Sequence, residues 1–96
     1  MLFISYNHSS KELVSQLVER LKSEKLNIWY DENEINVGDE LSKKMQEGIL
    51  KSNHVLFFIS KNYIASRNCK LEFGYAHNRK KNCIYLMLEK IDPEKN

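Results

Sequence analysis

The chain has 96 residues, of which 42% are hydrophobic and 29% are charged. This size suits one soluble domain with a single core and leaves no room for a second. The formal charge of +2, from 15 lysines and arginines against 13 acids, is too small to indicate nucleic acid as a partner. No apolar run approaches the roughly 20 residues that span a bilayer, so we expect no membrane segment.

The N-terminus and the cysteines indicate a cytoplasmic protein without a bound metal. The opening residues, MLFISYNHSS, have no basic segment before their apolar run and no small-residue cleavage pattern, so they do not have the features of a secretory signal peptide. Cys69 and Cys83 lie in an apolar helix pattern and an apolar strand pattern, without the spacing of a zinc site. We therefore predict buried thiols and no metal site.

The chain begins with a strand and a helix. Leu2, Phe3 and Ile4 form a short apolar run that predicts a strand buried on both faces, which emerges into a loop at residues 5–8. Ser9, with a glutamate three residues later at Glu12, predicts a capping box. The helix that follows carries apolar residues at helical spacing as far as position 22.

A second strand and a polar loop come next. Residues 26–30, LNIWY, predict the strand, and residues 31–38, DENEINVG, predict a long exposed loop that ends in glycine. Asp39 is a candidate N-cap for the following helix. Apolar residues recur on one face of that helix at every fourth position from Leu41 to Ile49.

The second half of the chain contributes the strongest strand signal. Residues 55–59, VLFFI, contain no polar side chain and predict a central strand, and residues 83–88, CIYLML, predict a fourth strand. Apolar strands that alternate with helices favour an α/β fold, a parallel sheet with helices on both faces. Ligands of such sheets bind beyond the carboxyl ends of the strands, which places residues 5–8, 31–38 and 60–68 at the ligand edge.

The helix predicted between Ser66 and Lys81 carries a carboxylate on its apolar side. At about 100° of rotation per residue, Glu72 lies near the middle of an apolar arc. The other members of that arc are Cys69, Leu71, Phe73, Tyr75 and Ala76. A desolvated glutamate must be paired, protonated or used in chemistry. The alternative is a purely structural role. Glu72 would then be an acidic residue near the helix N-terminus that the helix dipole favours, or its side chain would reach toward Asn68 or Arg79.

Common catalytic motifs do not fit this chain. It has three widely spaced glycines, so neither a GxGxxG motif nor a Walker A loop can be written. A receiver domain would need a phosphorylatable aspartate after the third strand, where this chain has Ser60. His8, Ser9 and Asp31 could form a hydrolytic triad, but no nucleophile elbow accompanies them.

Four segments, in their order and spacing, resemble the Toll/interleukin receptor (TIR) domain family, especially its bacterial members. The segments are FISYNHSS, NIWYDENEINVGDEL, HVLFFISKNYIASRNCKLEFGYA and CIYLML. The resemblance covers nearly the whole chain and implies a single TIR domain over residues 1–96 with a flavodoxin-like parallel sheet. It also implies that the last strand and helix of the family are missing, which would leave part of one sheet edge uncovered.

The resemblance implies an activity. Enzymatic members of the family cleave NAD at the nicotinamide–ribose bond with one glutamate early in the helix after the third strand, and Glu72 matches that position. NAD is then a substrate and no cofactor is implied. The products are nicotinamide and either ADP-ribose or a cyclic ADP-ribose. The resemblance further implies activation by self-association, an attached sensor or partner domain, and a role in immune or antiviral defence signalling. The alternative is a non-enzymatic module that binds other TIR domains.

The resemblance also implies further site residues. Ser5 and Tyr6 would border the nicotinamide and ribose, and Trp29 and Asp31 would lie on the wall near the substrate. Asn68 is included among the substrate-binding positions, although many bacterial members have tryptophan there. The loop implied in self-association consists of Asn33, Glu34, Ile35, Asn36, Val37 and Gly38.

Overall fold

The computed structural model describes residues 1–30 and 40–90. Its strands are β1 (Leu2–Ser5), β2 (Ile28–Trp29), β3 (His54–Ile59) and β4 (Asn82–Met87). Its α-helices are α1 (Lys11–Ser23), α2 (Lys43–Lys51), α3 (Lys61–Ala65) and α4 (Arg67–Asn78), and a 3₁₀ turn covers His8–Ser10. Within the described ranges, no helix has the length and apolar character needed to cross a membrane.

The strands form one parallel sheet in the order β2-β1-β3-β4. β1 pairs with β3 over its whole length, from Leu2 opposite His54 to Ser5 opposite Phe57. The chain passes from β1 outward to β2 and then returns across β1 to β3, so the strand order reverses between β1 and β3. Residues at the carboxyl ends of these two strands therefore lie at the switch point where such sheets bind ligands. The predicted parallel sheet and central third strand are confirmed.

The two central strands contribute side chains to cores on both faces of the sheet. Phe3 and Phe57 enter the core under α2 and α4, whereas Ile4 and Phe58 enter the core under α1. All four side chains are at most 2% exposed. Because alternate residues of a strand point to opposite faces, a strand buried on both faces must be apolar at every position. This requirement explains the unalternated runs in the sequence.

Helix α1 does not begin with the predicted capping box. The side-chain oxygen of Asn7 accepts from the Ser9 backbone amide at 3.0 Å and from the Ser9 hydroxyl at 2.6 Å. This Asn turn forms the 3₁₀ segment, and α1 begins after it, at Lys11. The predicted pairing of Ser9 with Glu12 is wrong, because the Ser9 hydroxyl is directed back to Asn7.

Helix α2 also begins later than predicted. Its N-cap is Ser42, whose hydroxyl oxygen accepts from the Met45 backbone amide at 3.2 Å. A cap at Asp39 would start the helix three residues earlier, so that prediction is wrong, and Asp39 itself lies outside the described residues. The predicted apolar face is confirmed, because Leu41, Met45 and Ile49 are buried.

Strand β2 is shorter than the predicted span, and one of its side chains packs closely against α2. Trp29 stacks on Phe3 with a ring-centroid distance of 4.7 Å. The Trp29 ring also lies against Gly48, where an added Cβ would be 2.6 Å from ring atom Cε2. Gly48 is therefore needed for the close approach of this ring to α2, at the cost of a lower helix propensity.

A short helix that the sequence did not predict, α3, follows β3 directly. The hydroxyl oxygen of Ser60 accepts from the Tyr63 backbone amide at 3.0 Å, and Glu89 accepts from the Lys61 amide at 2.6 Å. The hydroxyl oxygen of Ser66 then caps α4 by accepting from the Cys69 amide at 3.2 Å. These two serine caps turn the chain twice, which brings Tyr63 beneath the sheet edge.

Strand β4 forms one edge of the described sheet and keeps much of its apolar surface exposed. Ile84, Tyr85, Leu86 and Met87 are 42% to 55% exposed. The backbone of β4 pairs with β3 from His54 opposite Asn82 to Ile59 opposite Met87. The apolar run thus contributes an edge strand, in contrast to the buried strands β1 and β3.

Candidate functional site

A cavity opens beyond the carboxyl ends of β1 and β3, at the switch point of the sheet. Its wall is formed by the end of β1 and the loop that follows, by α2, and by the first turns of α4. The lining residues are Ile4, Tyr6, Asn7, His8, Met45, Ser66, Asn68, Cys69 and Glu72. The cavity volume is about 100 Å³, whereas pockets that enclose a whole drug-sized ligand measure roughly 300–1,000 Å³. The described residues can therefore enclose one end of a larger ligand.

Glu72 is the carboxylate in this wall. It is 6% exposed, and the other buried residues of α4 are Cys69 and Ala76. Residues three and four positions apart share one face of a helix, so Glu72 occupies the inner face between two small buried residues. The prediction that Glu72 lies within the apolar arc is confirmed.

Two of the structural alternatives for Glu72, a first-turn acid and a partner of Arg79, do not fit its surroundings. Glu72 is the sixth residue of α4, beyond the first turn where the helix dipole favours an acid. The guanidinium of Arg79 lies over the ring of Tyr75, 4.0 Å from its centroid. The carboxyl group of Glu72 instead faces inward, where it accepts a hydrogen bond from Ser5.

Ser5 connects the carboxyl group of Glu72 to a buried tyrosine. The hydroxyl of Ser5, at the end of β1, donates to Glu72 Oε1 at 2.8 Å, and the Tyr63 hydroxyl lies 2.7 Å from Ser5 Oγ. A serine hydroxyl has one hydrogen, so Tyr63 is the donor in its bond to Ser5. The Tyr63 hydroxyl also lies 3.4 Å from the carbonyl oxygen of Cys69. Hydrogen bonds therefore run from α3 through β1 to α4.

Burial dominates the electrostatics of the site. It raises the pKa of Glu72 from 4.5 to about 8, and the hydrogen bond from Ser5 opposes that rise only in part. In the part of the chain that the structure describes, Ser5 is the group that lowers the pKa of Glu72. The carboxyl group is therefore largely neutral near pH 7 in the absence of a ligand. A nearby positive charge would shift it toward the ionised form.

Cys69 lies beside Glu72 and contacts the loop after β1. The side-chain amide of Asn7 donates to Cys69 Sγ at 3.8 Å, and Sγ donates to the Tyr6 carbonyl oxygen at 3.6 Å. Burial raises the pKa of the Cys69 thiol, although its bond to Ser66 opposes the rise. A thiol of this kind is a poor nucleophile at neutral pH, and its role here is to pack.

The two cysteines are free thiols, Cys69 buried and Cys83 half-buried. Over residues 1–30 and 40–90, no group of three or more His, Cys, Asp or Glu side chains is arranged to bind a metal ion. The functional groups that line the cavity therefore include one buried carboxyl group, an aromatic ring, an imidazole and polar side chains.

The structure brings three of the predicted site residues together in one wall. Tyr6 and Asn68 line the cavity with Glu72. Ser5 is fully buried behind that wall and contacts Glu72 rather than the cavity. These four residues come from the end of β1, the loop after it and α4.

The other predicted residues lie elsewhere. Trp29 packs in the core between Phe3 and Gly48 and is not part of the cavity lining. Asp31 and the loop at residues 33–38 lie outside the described residues. Among the described residues, the second strand contributes no side chain to the cavity lining.

Tyr63 is a site residue that was not predicted from the sequence. It is 2% exposed and lies edge-on to Phe57, with 6.4 Å between the ring centroids. A signal was available, because Ser60 is a typical N-cap directly after a central strand. A tyrosine on the inner side of the following turn needs a partner for its buried hydroxyl. The missing information was the identity of that partner, Ser5, which is 58 positions away.

The four-stranded parallel sheet, with a cavity at its switch point and one buried glutamate in the cavity wall, agrees with a specific family. The family model described as "TIR domain" matches residues 2–96. The chain therefore belongs to the TIR domain family.

Relatives with named activities match part of the chain. It is 36% identical over 63 residues to the NAD(+) hydrolase TcpA of Theionarchaea archaeon (strain DG-70-1), a match that covers 65% of this chain and 19% of that protein. It is 35% identical over 63 residues to the 2' cyclic ADP-D-ribose synthase BtTIR of Bacteroides thetaiotaomicron, covering 65% of this chain and 22% of that protein. The chain thus spans about a fifth of the length of these relatives.

A solved structure shares the fold. The TIR domain of the Toll-related receptor TRR-2 from Hydra magnipapillata matches with a TM-score of 0.79 and 14% identity, covering 95% of this chain and 72% of that chain. At this level of identity the similarity shows the fold alone. The flavodoxin-like α/β architecture expected of a TIR domain is confirmed.

Proposed function

We propose that this TIR domain is an NAD glycohydrolase in which Glu72 is the catalytic carboxylate. The observation that carries the proposal is the buried carboxyl group of Glu72 in a cavity wall at the switch point of the sheet. Strongly perturbed acids in such cavities are candidates for catalysis. The relatives named as an NAD(+) hydrolase and a cyclic ADP-D-ribose synthase support the same reaction class.

One carboxylate is enough for the bond-breaking step. The nicotinamide of NAD is attached to ribose through a positively charged ring nitrogen, so it departs as a neutral molecule and needs no proton. Positive charge then develops on the ribose ring. A carboxylate beside the ribose stabilises that charge more in the transition state than in the ground state, and burial strengthens the effect.

Substrate binding itself would ionise the catalytic group. With a pKa of about 8, the Glu72 carboxyl group is mostly protonated near pH 7. The cationic nicotinamide ring, placed beside it in a site with little water, favours the ionised form and lowers that pKa. Glu72 thus becomes ionised when NAD is bound, which is the state in which the reaction requires its carboxylate.

The cavity suits the nicotinamide end of the substrate. Tyr6 supplies an aromatic face for the nicotinamide ring, and Asn68 supplies an amide for the ribose hydroxyls. Ser5 acts on Glu72 from behind the wall. The proposed contact of Asp31 with the remainder of the substrate rests on the family resemblance.

Two outcomes follow bond cleavage. Attack by water gives ADP-ribose and a proton, whereas attack by a nucleophile of the same molecule, either an adenine nitrogen or a ribose hydroxyl, gives a cyclic ADP-ribose and a proton. The names of the two relatives include one of each kind. We further propose a cytoplasmic effector of immune or antiviral signalling that self-associates through residues 33–38 and is controlled by a sensor or partner domain.

The proposal is tested by measuring free nicotinamide released from NAD at high protein concentration, which favours any assembled state. Glu72→Gln keeps the size of the side chain and removes its charge, and Glu47→Gln is the matched control because Glu47 is exposed on α2. We expect release by the parent and by Glu47→Gln, and a loss of about 100-fold or more in Glu72→Gln. Equal release by Glu72→Gln would refute the assignment.

A second candidate function is a non-enzymatic module that binds other TIR domains. It is favoured by Asn68, which lines the cavity. Many bacterial members have tryptophan at this position, so the asparagine leaves the cavity without one aromatic surface on which a substrate ring could stack. A folded, self-associated parent that releases no nicotinamide would establish this candidate. Release that depends on Glu72 would eliminate it as the sole function.

A further inference from the structure

We propose that Tyr63 is a positioning residue that acts through Ser5 to support the Glu72 carboxylate. The inference rests on the function proposed above, because it concerns the same carboxylate. Tyr63 does not line the cavity, and its hydroxyl meets Ser5 Oγ at 2.7 Å. Ser5 in turn meets Glu72 Oε1 at 2.8 Å.

The direction of the hydrogen bonds follows from counting hydrogens. An ionised carboxylate can only accept, so the single hydrogen of the Ser5 hydroxyl points to Glu72. The oxygen of Ser5 is then left to accept, and the single hydrogen of the Tyr63 hydroxyl points to it. Donation by Tyr63 polarises the Ser5 hydroxyl and strengthens its bond to the carboxylate.

The surroundings of Tyr63 keep it in the donor form. Burial raises the pKa of Tyr63 well above its usual value of 10. The ring is held against Phe57, and the backbone of Tyr63 is held by the Ser60 cap. The hydroxyl therefore keeps its proton and its orientation across the pH range in which Glu72 titrates.

Few other titratable groups face Glu72 in the described chain. Cys69 lies on the same helix, and burial raises the pKa of its thiol, so it stays neutral at neutral pH. His8, from the loop after β1, lies in the same cavity wall, and α2 contributes Met45, which carries no charge. No lysine or arginine is among the lining residues from these described elements.

The test is a titration of the Glu72 carboxyl carbon by NMR, with ¹³C-labelled glutamate and Glu72→Gln to assign the signal. This readout needs no NAD and reports the Glu72 carboxyl group directly. Ser5→Ala removes a bond to a charged group and should raise the midpoint by about one to two pH units. Tyr63→Phe keeps the ring and should raise the midpoint by about 0.2–0.5 of a pH unit.

The double variant decides whether Tyr63 acts through Ser5. Without the Ser5 hydroxyl, the Tyr63 hydroxyl is left with the Cys69 carbonyl at 3.4 Å, so Tyr63→Phe should add no further shift in the Ser5→Ala background. Tyr85→Phe is the matched control, because its hydroxyl bonds to His77 instead. An unchanged midpoint in Tyr63→Phe, or an equal shift with and without Ser5, would overturn the inference.

A second variant guards against misfolding of Tyr63→Phe. Fluorotyrosine introduced only at position 63 keeps the hydroxyl group and makes it a stronger hydrogen-bond donor. The titration midpoint of Glu72 should then fall instead of rise. The pH dependence of kcat/KM for nicotinamide release should move with the NMR midpoint, with little change in KM, because Tyr63 is outside the cavity lining. If the parent releases no nicotinamide, the proposed function fails, whereas the NMR cycle still decides the role of Tyr63.

Discussion

Ser5 and Glu72 are 67 positions apart in the chain and are joined by a hydrogen bond of 2.8 Å inside the fold. Ser5 ends a central strand, and Glu72 lies on the inner face of the helix that covers the same edge of the sheet. The contact exists because β1 and β3 are neighbours, so that the segments after both strands meet at one edge. It places a desolvated carboxyl group at the position where parallel sheets bind ligands.

The pKa of Glu72 predicts how stability depends on pH. The folded pKa of about 8 lies above the ordinary value of 4.5. Between these values the folded state holds more protons than the unfolded state, so the free energy of unfolding falls as pH rises. The stabilising contribution is complete below about pH 4.5 and is lost as pH passes about 8.

Glu72→Gln should remove this dependence. At pH 8.5 the variant should be more stable than the parent by about 2–4 kcal/mol, and at pH 5 the two should be nearly equal. Urea unfolding at pH 5, 7 and 8.5 measures the difference, with Glu47→Gln as the control. Parent stability that stays constant over this range would show that Glu72 is not desolvated.

The same group predicts the pH dependence of catalysis. For a reaction that needs ionised Glu72, kcat/KM should rise about tenfold per pH unit and level off near pH 8, because it reports the free protein. The kcat profile should level off at lower pH, because bound NAD places a positive charge near the carboxylate. Initial rates of nicotinamide release from pH 5.5 to 9 test both profiles. Identical midpoints would contradict ionisation by the substrate.

The two helical glycines should respond to alanine in opposite ways. In Gly48→Ala the new Cβ would lie 2.6 Å from the Trp29 ring, and overpacking of this kind costs about 1–3 kcal/mol. In Gly74→Ala, apart from the adjacent residues and the backbone of α4 itself, no atom of the described residues lies within 4 Å of the new Cβ. The better helix propensity should therefore stabilise the protein by up to about 1 kcal/mol. Thermal unfolding of both variants checks the signs. A stabilised Gly48→Ala would show that the Trp29 ring is not held against α2.

Lys81 should stabilise the fold by joining the end of α2 to the start of β4. Its ammonium group donates to the carbonyl oxygens of Leu50 and Ser52, at 2.9 and 3.0 Å. Lys81→Met should cost about 1–2 kcal/mol, because the last carbonyls of a helix lose a cationic donor. Lys70→Met, at an exposed position of α4, is the control and should stay within about 0.5 kcal/mol of the parent. Equal effects in the two variants would refute the specific role of Lys81.

Local patterns in the sequence were sufficient for the elements that bury apolar surface. The unbroken run at residues 55–59 predicted a central strand, and β3 is central. The position of Glu72 among apolar residues predicted a buried carboxylate, and it is 6% exposed. Both predictions depend on periodicity and hydrophobicity, which act within a few residues and can be read from the chain alone.

Helix starts were less predictable, because several polar residues compete for the same backbone amides. Ser9 and Asp39 are reasonable caps by residue type, yet Asn7 directs the Ser9 hydroxyl backward and Ser42 caps α2. Differences between such caps are only about 1 kcal/mol, so the surrounding packing decides which one is used.

The sequence by itself determined the parallel α/β class, the buried runs and the presence of one carboxylate on an apolar helix face. Only the tertiary structure decided that Ser5 and Tyr63 are the partners of that carboxylate and that Trp29 packs in the core. The physical reason is that hydrophobic burial is set by local composition, whereas a hydrogen bond requires positions defined to a few tenths of an ångström. Those positions depend on strand order and register across 58 and 67 residues of chain.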